Sequence, residues 1–187
     1  MKVLADKGMI EMKPRAGTRS KPRAGWRLLD PDILLWQAEL GPDLQFLRDL
    51  CEVRLAIEPT AAGFAAVRAR KDEIAQLGRL LAEQQRATGA ERIEGNLRFQ
   101  SLVIEASRNP MLVQLAASIR APFRMALEHA SRHAASVKLS QEAHEDLLRA
   151  IERRDPLSAR RASEEVVGFA MIAAERALRS AERIKAK

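Results

Sequence analysis

Polar side chains interrupt the apolar faces of three predicted helices, which cover residues 43–57, 91–107 and 140–153. The interrupting residues are Arg54 in the first helix, Asn96, Gln100 and Ser107 in the second, and His144 in the third. Projected at 100° per residue, each lies on a face that is otherwise apolar. Buried polar groups cost free energy unless they find partners. Their presence on three helices predicts a shared polar cavity inside a helical bundle, a common place for a ligand site.

Taken singly, each of these residues has a simpler interpretation. A lone histidine or glutamine in a core usually hydrogen-bonds a nearby backbone carbonyl, and Arg54 could pair with Glu58 one turn later. Taken together, they favour a ligand pocket, and the arginine indicates the charge of the ligand. A guanidinium binds a carboxylate through a two-pronged, charge-assisted hydrogen bond, so Arg54 is suited to holding an acid.

Other candidate chemistry in the sequence is weaker. His129 and His133 have a spacing that can chelate a metal, but without a third ligand we interpret them as exposed histidines near a helix end. The sequence has no phosphate-binding glycine loop, G-x-S-x-G elbow, H-E-x-x-H or C-x-x-C. Cys51 with a histidine is formally a nucleophile pair, but a small apolar helix position explains this cysteine better. We do not expect an enzyme.

The elements that must position the cavity residues are helices. Hydrophobic residues form 47% of the 187-residue chain, aromatic residues only 4%, and tyrosine is absent. Alanine and leucine dominate the apolar set, and such side chains lose little freedom in a helix. We expect an all-α, antiparallel helical bundle with about six or seven helices over residues 31–184. Helix starts are predicted at Asp30–Pro31, Gly41–Pro42, Pro59, Asn109–Pro110 and Asp155–Pro156.

The sequence carries no feature of an exported or membrane-inserted protein. Its single cysteine excludes an internal disulfide framework and fits a reducing compartment. The longest apolar runs fall far short of the ~20 residues that cross a bilayer. The basic N-terminus is not followed by an apolar signal core. We therefore expect a cytoplasmic protein without a membrane partner.

Positive charge is concentrated at the N-terminus. Residues 1–28 contain eight lysines and arginines against Asp6 and Glu11, whereas the rest of the chain is almost neutral. Clustered cations displace counterions from phosphates, so this asymmetry favours a nucleic-acid partner over a simple basic tail.

The order of elements in this segment supports a partner of that kind. Residues 1–8 are typical of the last turns of a helix closed by a glycine. Residues 9–12 and 18–21 are typical of two short strands. Residues 13–17 form a basic, glycine-containing turn between them. Helix end, strand, turn and strand make the second half of a winged helix, with the turn as the wing.

The stretch LADKGMIEMKPRAGTRS resembles the end of the DNA-binding domain in GntR-family bacterial transcription regulators. The resemblance implies that Lys13, Arg15, Gly17, Thr18 and Arg19 approach the DNA backbone and minor groove. The two helices that precede the recognition helix in that family, and most of the recognition helix, have no counterpart here. Because that helix reads the major groove, we expect at most weak, salt-sensitive DNA binding from this chain.

Three further stretches are similar, in order and spacing, to the FCD effector-binding domain of the FadR-like branch of that family. They are FLRDLCEVRLAIEPTAAGFAA, NLRFQSLVIEASRNPML and EAHEDLLRAIERRDPLSAR. The resemblance implies a helical bundle that dimerises around a cavity for small organic acids. It divides the chain into a winged-helix remnant (1–25), a linker with a short helix (26–41) and an FCD-like domain (42–187).

Many members of this family hold a divalent metal with a D-x-x-x-H pair and two later histidines. Those four positions fall on Asn96, Gln100, His144 and Val166, with Glu165 one residue away from the last. Neutral amides are poor ligands for zinc and its neighbours, and one imidazole does not make a metal site. We expect a metal-free, cofactor-free pocket in which Arg54, Asn96, Gln100 and His144 bind the effector.

The resulting hypothesis is a one-component transcription regulator, most simply a repressor, that acts as a homodimer on operator DNA. The junction W-x-L-L-D-P-D-x-L-x-W resembles family members that sense sugar acids, which suggests an aldonate or similar hydroxy acid as effector. A fatty acyl thioester fits a compact polar pocket less well. The alternative is a non-enzymatic helical interaction or scaffold protein with a basic tail.

Overall fold

A computed structural model describes the backbone of residues 1–13, 17–39, 44–130 and 134–185, and most of the side chains in these ranges. The first elements form a small N-terminal unit of one short helix and a two-stranded antiparallel hairpin. They are α1 (Lys2–Asp6), β1 (Ile10–Lys13) and β2 (Gly17–Ser20), followed by a turn of 3₁₀ helix at Arg23–Gly25. Ile10 pairs with Ser20, and Lys13 with Gly17. Both predicted strands are confirmed to within one residue.

Seven helices follow in the described part of the chain. They are α2 (Pro31–Glu39), α3 (Leu44–Arg68), α4 (Lys71–Arg86), α5 (Gly89–Ala106), α6 (Pro110–Ala130), α7 (Ala134–Glu152) and α8 (Pro156–Lys185). This arrangement confirms the predicted all-α bundle with an N-terminal hairpin. No helix in the described ranges has both the length and the apolar character needed to cross a membrane.

Three of the predicted helix starts are confirmed by their caps. The Oδ1 atoms of Asp30, Asn109 and Asp155 each accept a hydrogen bond from the backbone N–H two residues later. In each case a proline follows the cap as the first helical residue, where its missing N–H costs nothing. The predicted start at Gly41–Pro42 lies outside the described residues.

The predicted helix start at Pro59 is wrong. Pro59 lies inside α3, which runs without interruption from Leu44 to Arg68. A proline in a helix removes the hydrogen bond to the carbonyl four residues earlier, here that of Leu55. Leu55 lies on the exposed side of α3, where water can bond that carbonyl. Burial continues on both sides of the proline, through Ile57 and Ala61, and this packing holds the helix together.

The core has two parts. One joins the C-terminal half of α3 to α4, α5, α7 and α8 and includes Phe99, Leu147 and Ile151. The other joins the N-terminal half of α3 to α5 and α6 and includes Leu47, Leu97 and Phe123. The polar residues predicted for the cavity lie on the helices that contribute to these two parts.

Candidate functional site

A cavity of about 120 Å³ lies between α3, α5 and α6. Helix α3 contributes Arg54 and Glu58, α5 contributes Leu97, Gln100, Ser101, Ile104 and Glu105, and α6 contributes Val113, Ala116, Ala117, Ile119, Arg120 and Phe123. Apolar side chains form most of the wall, and a few polar groups from three helices converge on it. This combination is typical of a small-molecule site.

Arg54 is the most deeply buried charged side chain at this cavity, at 1% exposure. Its Nε donates to Glu58 Oε1 (2.5 Å) and its Nη2 to Glu58 Oε2 (3.0 Å), so Glu58 is the partner that the sequence left open. The guanidinium carbon lies 3.3 Å from the centre of the Phe123 ring. Its remaining nitrogen, Nη1, is buried and has no hydrogen-bond partner among the described residues. The cation is therefore neutralised by Glu58 but keeps an unused donor.

His144 lies behind Gln100 rather than on the cavity wall. Its Nδ1 donates to the Ser140 carbonyl at 2.5 Å, and its Nε2 is 3.3 Å from Gln100 Nε2. Because a carbonyl only accepts, Nδ1 carries the proton, and Nε2 accepts from the Gln100 amide. Burial lowers the pKa of His144 to about 4. The positive charge of Arg54 also lowers it, whereas the hydrogen bond to Ser140 raises it. The ring is neutral at pH 7.

Asn96 faces away from the cavity. Its Oδ1 accepts a hydrogen bond from Gln84 Nε2 on α4 at 2.7 Å. Of the four predicted effector-binding residues, the structure brings Arg54 and Gln100 to the cavity wall and His144 to the layer behind it, and it pairs Asn96 with α4.

Sequence reasoning did not name Phe123, Ser101 or Glu105 as part of the site. The ring under Arg54 comes from α6, and no pattern within α3 indicates which helix covers its arginine. Ser101 and Glu105 are four residues apart and share a face of α5 with Leu97, and this spacing was the available signal.

The surroundings of Cys51 are unfavourable for a catalytic nucleophile. It is buried one turn before Arg54, and burial raises the pKa of its thiol above the ordinary value. A thiol that stays protonated near neutral pH is a poor nucleophile.

The N-terminal hairpin presents Lys13, Gly17, Thr18 and Arg19 to solvent. Gly17 has φ = +81°, a conformation that favours glycine at the end of the turn. Arg15 lies outside the described residues. Gly8 (φ = +76°) closes α1 as predicted. Its N–H donates to the Ala5 carbonyl, and the N–H of Met9 donates to the Leu4 carbonyl.

A sequence profile of the FCD domain matches residues 49–169, well over half of the chain. The galactonate operon transcriptional repressor of Escherichia coli K12 is 31% identical over 165 residues, which are 86% of this chain and 71% of that protein. The chain belongs to the FCD branch of the GntR-family transcription regulators. The E. coli K12 HTH-type regulator YieP is 31% identical to this FCD regulator over 120 residues, 62% of the chain and 52% of YieP.

Solved structures show the same fold. Streptococcus agalactiae GntR superposes with a TM-score of 0.63 at 24% identity, covering 91% of this FCD regulator and 77% of that chain. E. coli McbR/YncC superposes with a TM-score of 0.65 at 18% identity, covering 93% and 76%.

The residues at the FCD metal positions do not fit a divalent metal ion. The lone pair of His144 Nε2 accepts from Gln100, and Asn96 bonds Gln84 on the far side of α5. Helix α8 buries Val166 and exposes Glu165. The described residues include no group of three or more His, Cys, Asp or Glu side chains that could hold a metal ion. The side chains of His129 and His133 lie outside the described residues.

Proposed function

We propose that this chain is the effector-sensing and dimerisation part of a ligand-responsive repressor, and that its cavity binds a small organic acid of the sugar-acid class. One observation carries the proposal: the unpartnered Nη1 of Arg54 at the cavity wall. A buried donor without an acceptor costs about 1–3 kcal/mol, and a bound carboxylate would remove that cost. Glu58 already balances the charge of Arg54, so the acid would bind mainly by directed hydrogen bonding.

The rest of the wall supports a hydroxylated acid. Gln100, Ser101, Glu58 and Glu105 offer donors and acceptors for hydroxyl groups, while Leu97 and Ile104 offer apolar surface for the carbon chain. The 31% identity to a galactonate operon repressor favours a sugar acid within this class. A volume of 120 Å³ is below the roughly 300 Å³ of a typical ligand pocket, so a six-carbon acid requires the wall to move outward. A fatty acyl thioester is far too large.

We further propose that the site works without a metal and that the regulator acts as a homodimer on operator DNA. In a two-fold dimer, the symmetry of the protein sets the spacing of the DNA half-sites. Effector binding would then change DNA affinity by changing the geometry of the dimer.

Thermal unfolding with a panel of acids tests the proposal: D-galactonate, D-gluconate, D-glycerate and L-lactate, each with and without EDTA. A bound acid at 100 times its Kd adds about 2.7 kcal/mol, or roughly 5–10 °C for a chain of this length. We expect at least one acid to raise Tm, with no effect of EDTA. Loss of the shift in EDTA would contradict a metal-free site.

Arg54→Lys is the sharpest variant because it keeps a cation beside Glu58 but removes the free Nη1 donor. We expect affinity for the acid to fall roughly ten- to a hundredfold, as for loss of a charged hydrogen bond of about 1.5–3 kcal/mol. Arg68→Lys is the matched control: Arg68 is on the same helix and stacks on Phe64, but it is not part of the cavity wall. Equal affinities in the two variants would count against Arg54 as the anchor.

A further inference from the structure

We infer that helix α6 and the side chain of Lys7 couple the cavity to the winged segment, by which we mean the described residues of 1–25. This inference rests on the proposed function of the cavity. In outline, an acid displaces the α6 wall, α2 moves with α6, and Lys7 transmits the movement of α2 to the hairpin.

Helix α6 is both the wall of the cavity and the support of α2. Six of its side chains line the cavity, including Ile119 and Phe123. Among the described helices, α2 packs its backbone closely against α6 and no other. A shift of α6 therefore has a direct mechanical route to α2.

Ile119 lies at the junction of the two regions. It is 4% exposed and faces the acid cavity, yet it also lines an apolar groove of about 290 Å³ beneath α2. Leu34 and Gln37 of α2 and Leu50 of α3 line that same groove. The groove provides space into which the Ile119 side chain can move when the small cavity widens for an acid.

Lys7 attaches the winged segment to α2. Its Nζ lies 2.6 Å from Asp30 Oδ1 and 2.7 Å from Asp32 Oδ2, at the first turn of α2. The same ammonium is 5.6 Å from the centre of the Trp36 ring, one turn further along that helix. The Lys7 carbonyl also accepts a hydrogen bond from the N–H of Arg27 in the linker. Lys7 is 9% exposed and Asp30 is largely covered, whereas the Asp32 side chain is 60% exposed, so water reaches the outer side of this contact.

The linker reinforces this attachment but does not replace it. Trp26 Nε1 donates to the Lys21 carbonyl at 3.0 Å, at the end of the hairpin. In the described part of the chain, α1, β1 and β2 make no backbone packing against α3–α8. The orientation of the hairpin relative to the bundle is therefore set by Lys7, by the linker and by one exposed hydrogen bond, from Arg23 Nη2 to Gln37 Oε1 of α2 at 2.5 Å.

Amide hydrogen exchange tests the inference, with D-galactonate as probe and peptides covering residues 9–20 and 31–39 as readouts. In the wild-type chain we expect saturating galactonate to change exchange in both peptides. In Lys7→Met we expect galactonate to bind within about twofold of the wild-type Kd and still to change exchange in residues 31–39. The response of residues 9–20 should be largely lost. We expect Lys7→Arg to restore the response. Lys2→Met, which removes an exposed lysine of α1, should behave like wild type.

A second perturbation makes the test independent of the acid. Ile119→Ala loosens α6 at the shared wall, and without ligand we expect it to raise hydrogen exchange in both peptides, 31–39 and 9–20. In the double variant with Lys7→Met, we expect exchange to rise only in residues 31–39. A hairpin that responds equally with and without Lys7 overturns the inference while leaving the proposed function intact. Failure of every acid to bind contradicts the proposed function, and the Ile119→Ala result then decides the coupling alone.

Discussion

His144 is held in a single neutral tautomer by the Ser140 carbonyl on one side and the Gln100 amide on the other. The edge of the ring packs against Phe99, with the ring centres 5.1 Å apart. A proton added to Nε2 would face the Gln100 amide, which is already a donor. Burial and the Gln100 amide therefore oppose protonation, and they outweigh the Ser140 hydrogen bond, which favours it.

Stability should fall as pH drops from about 6.5 to about 4. In that window the unfolded chain binds a proton at residue 144 and the folded chain does not, because burial depresses the pKa of His144 to about 4. The free energy of unfolding contributed by this residue is intact above pH 6.5 and decreases by about 2 kcal/mol between pH 7 and pH 5. Urea unfolding at the two pH values measures it.

His144→Gln is the control for this prediction, since glutamine is polar and cannot titrate. The variant retains the other two histidines, so their contribution cancels in the comparison. An equal loss of stability between pH 7 and pH 5 in wild type and variant would contradict the assignment to His144.

Helical projection of the sequence placed Arg54 and Gln100 at a shared cavity because the faces of α3 and α5 that carry them line the same cavity. It grouped Asn96 with Gln100 because α5 is buried on more than one side: Phe99 belongs to one part of the core and Leu97 to the other. A projection records that a position is buried but not which neighbour buries it. Only the packing assigns Asn96 to α4.

At the scale of elements, the start of α8 depends on one carboxylate. Asp155 Oδ1 accepts from the N–H groups of Leu157 (3.0 Å) and Ser158 (3.1 Å), and Oδ2 accepts from the Ser158 hydroxyl (2.6 Å). The hydrogen bonds from Ser158 hold the pKa of Asp155 below its usual value. We expect Asp155→Ala to lower the free energy of unfolding by about 1 kcal/mol, measured by urea denaturation.

Asp155→Asn separates capping from charge, since asparagine keeps the acceptor and is an equally good cap. We expect it to recover most of the loss. If Asn and Ala destabilise the chain equally, charge at the helix terminus rather than the cap is responsible.

Helix boundaries were predictable where a capping side chain and a proline occur together, as at Asp30, Asn109 and Asp155. Pro59 has no capping side chain before it, because the carboxylate of Glu58 accepts hydrogen bonds from Arg54 instead. The local signal for a break was present, but burial on both sides of the proline outweighed it. That burial depends on helices distant in sequence, so the sequence alone could not reveal it.

At the scale of the molecule, the excess cationic charge lies in residues 1–28, whereas residues between 54 and 123 line the cavity. We expect the chain to bind duplex DNA weakly and with strong salt dependence. Replacing Lys13, Arg15 and Arg19 with glutamine should reduce the slope of log Kobs against log salt by about 0.9 for each phosphate that is no longer neutralised. Fluorescence anisotropy at several salt concentrations measures the slope.

The matched control removes the same charge from exposed sites on the bundle, Arg98, Arg153 and Arg161. If this variant reduces the slope as much as the hairpin variant does, net charge rather than the wing governs DNA binding.

The fold class followed from composition and from the order of helix starts because these depend on local preferences. The attachment of the winged segment through Lys7 did not, since it joins residues 23 apart across a linker and depends on the placement of Asp30 and Trp36. Long-range ion pairs leave no periodic trace in a sequence.

The burial of Cys51 also matters for how this protein can be studied. It is the only cysteine in the chain, is 4% exposed, and has a thiol pKa raised by burial, so maleimide and methanethiosulfonate reagents reach it slowly in the folded state. Cysteines introduced on the surfaces of α2 and the hairpin can therefore carry spin labels without prior removal of the native thiol. Distances between such labels would follow the two parts of the molecule directly in solution.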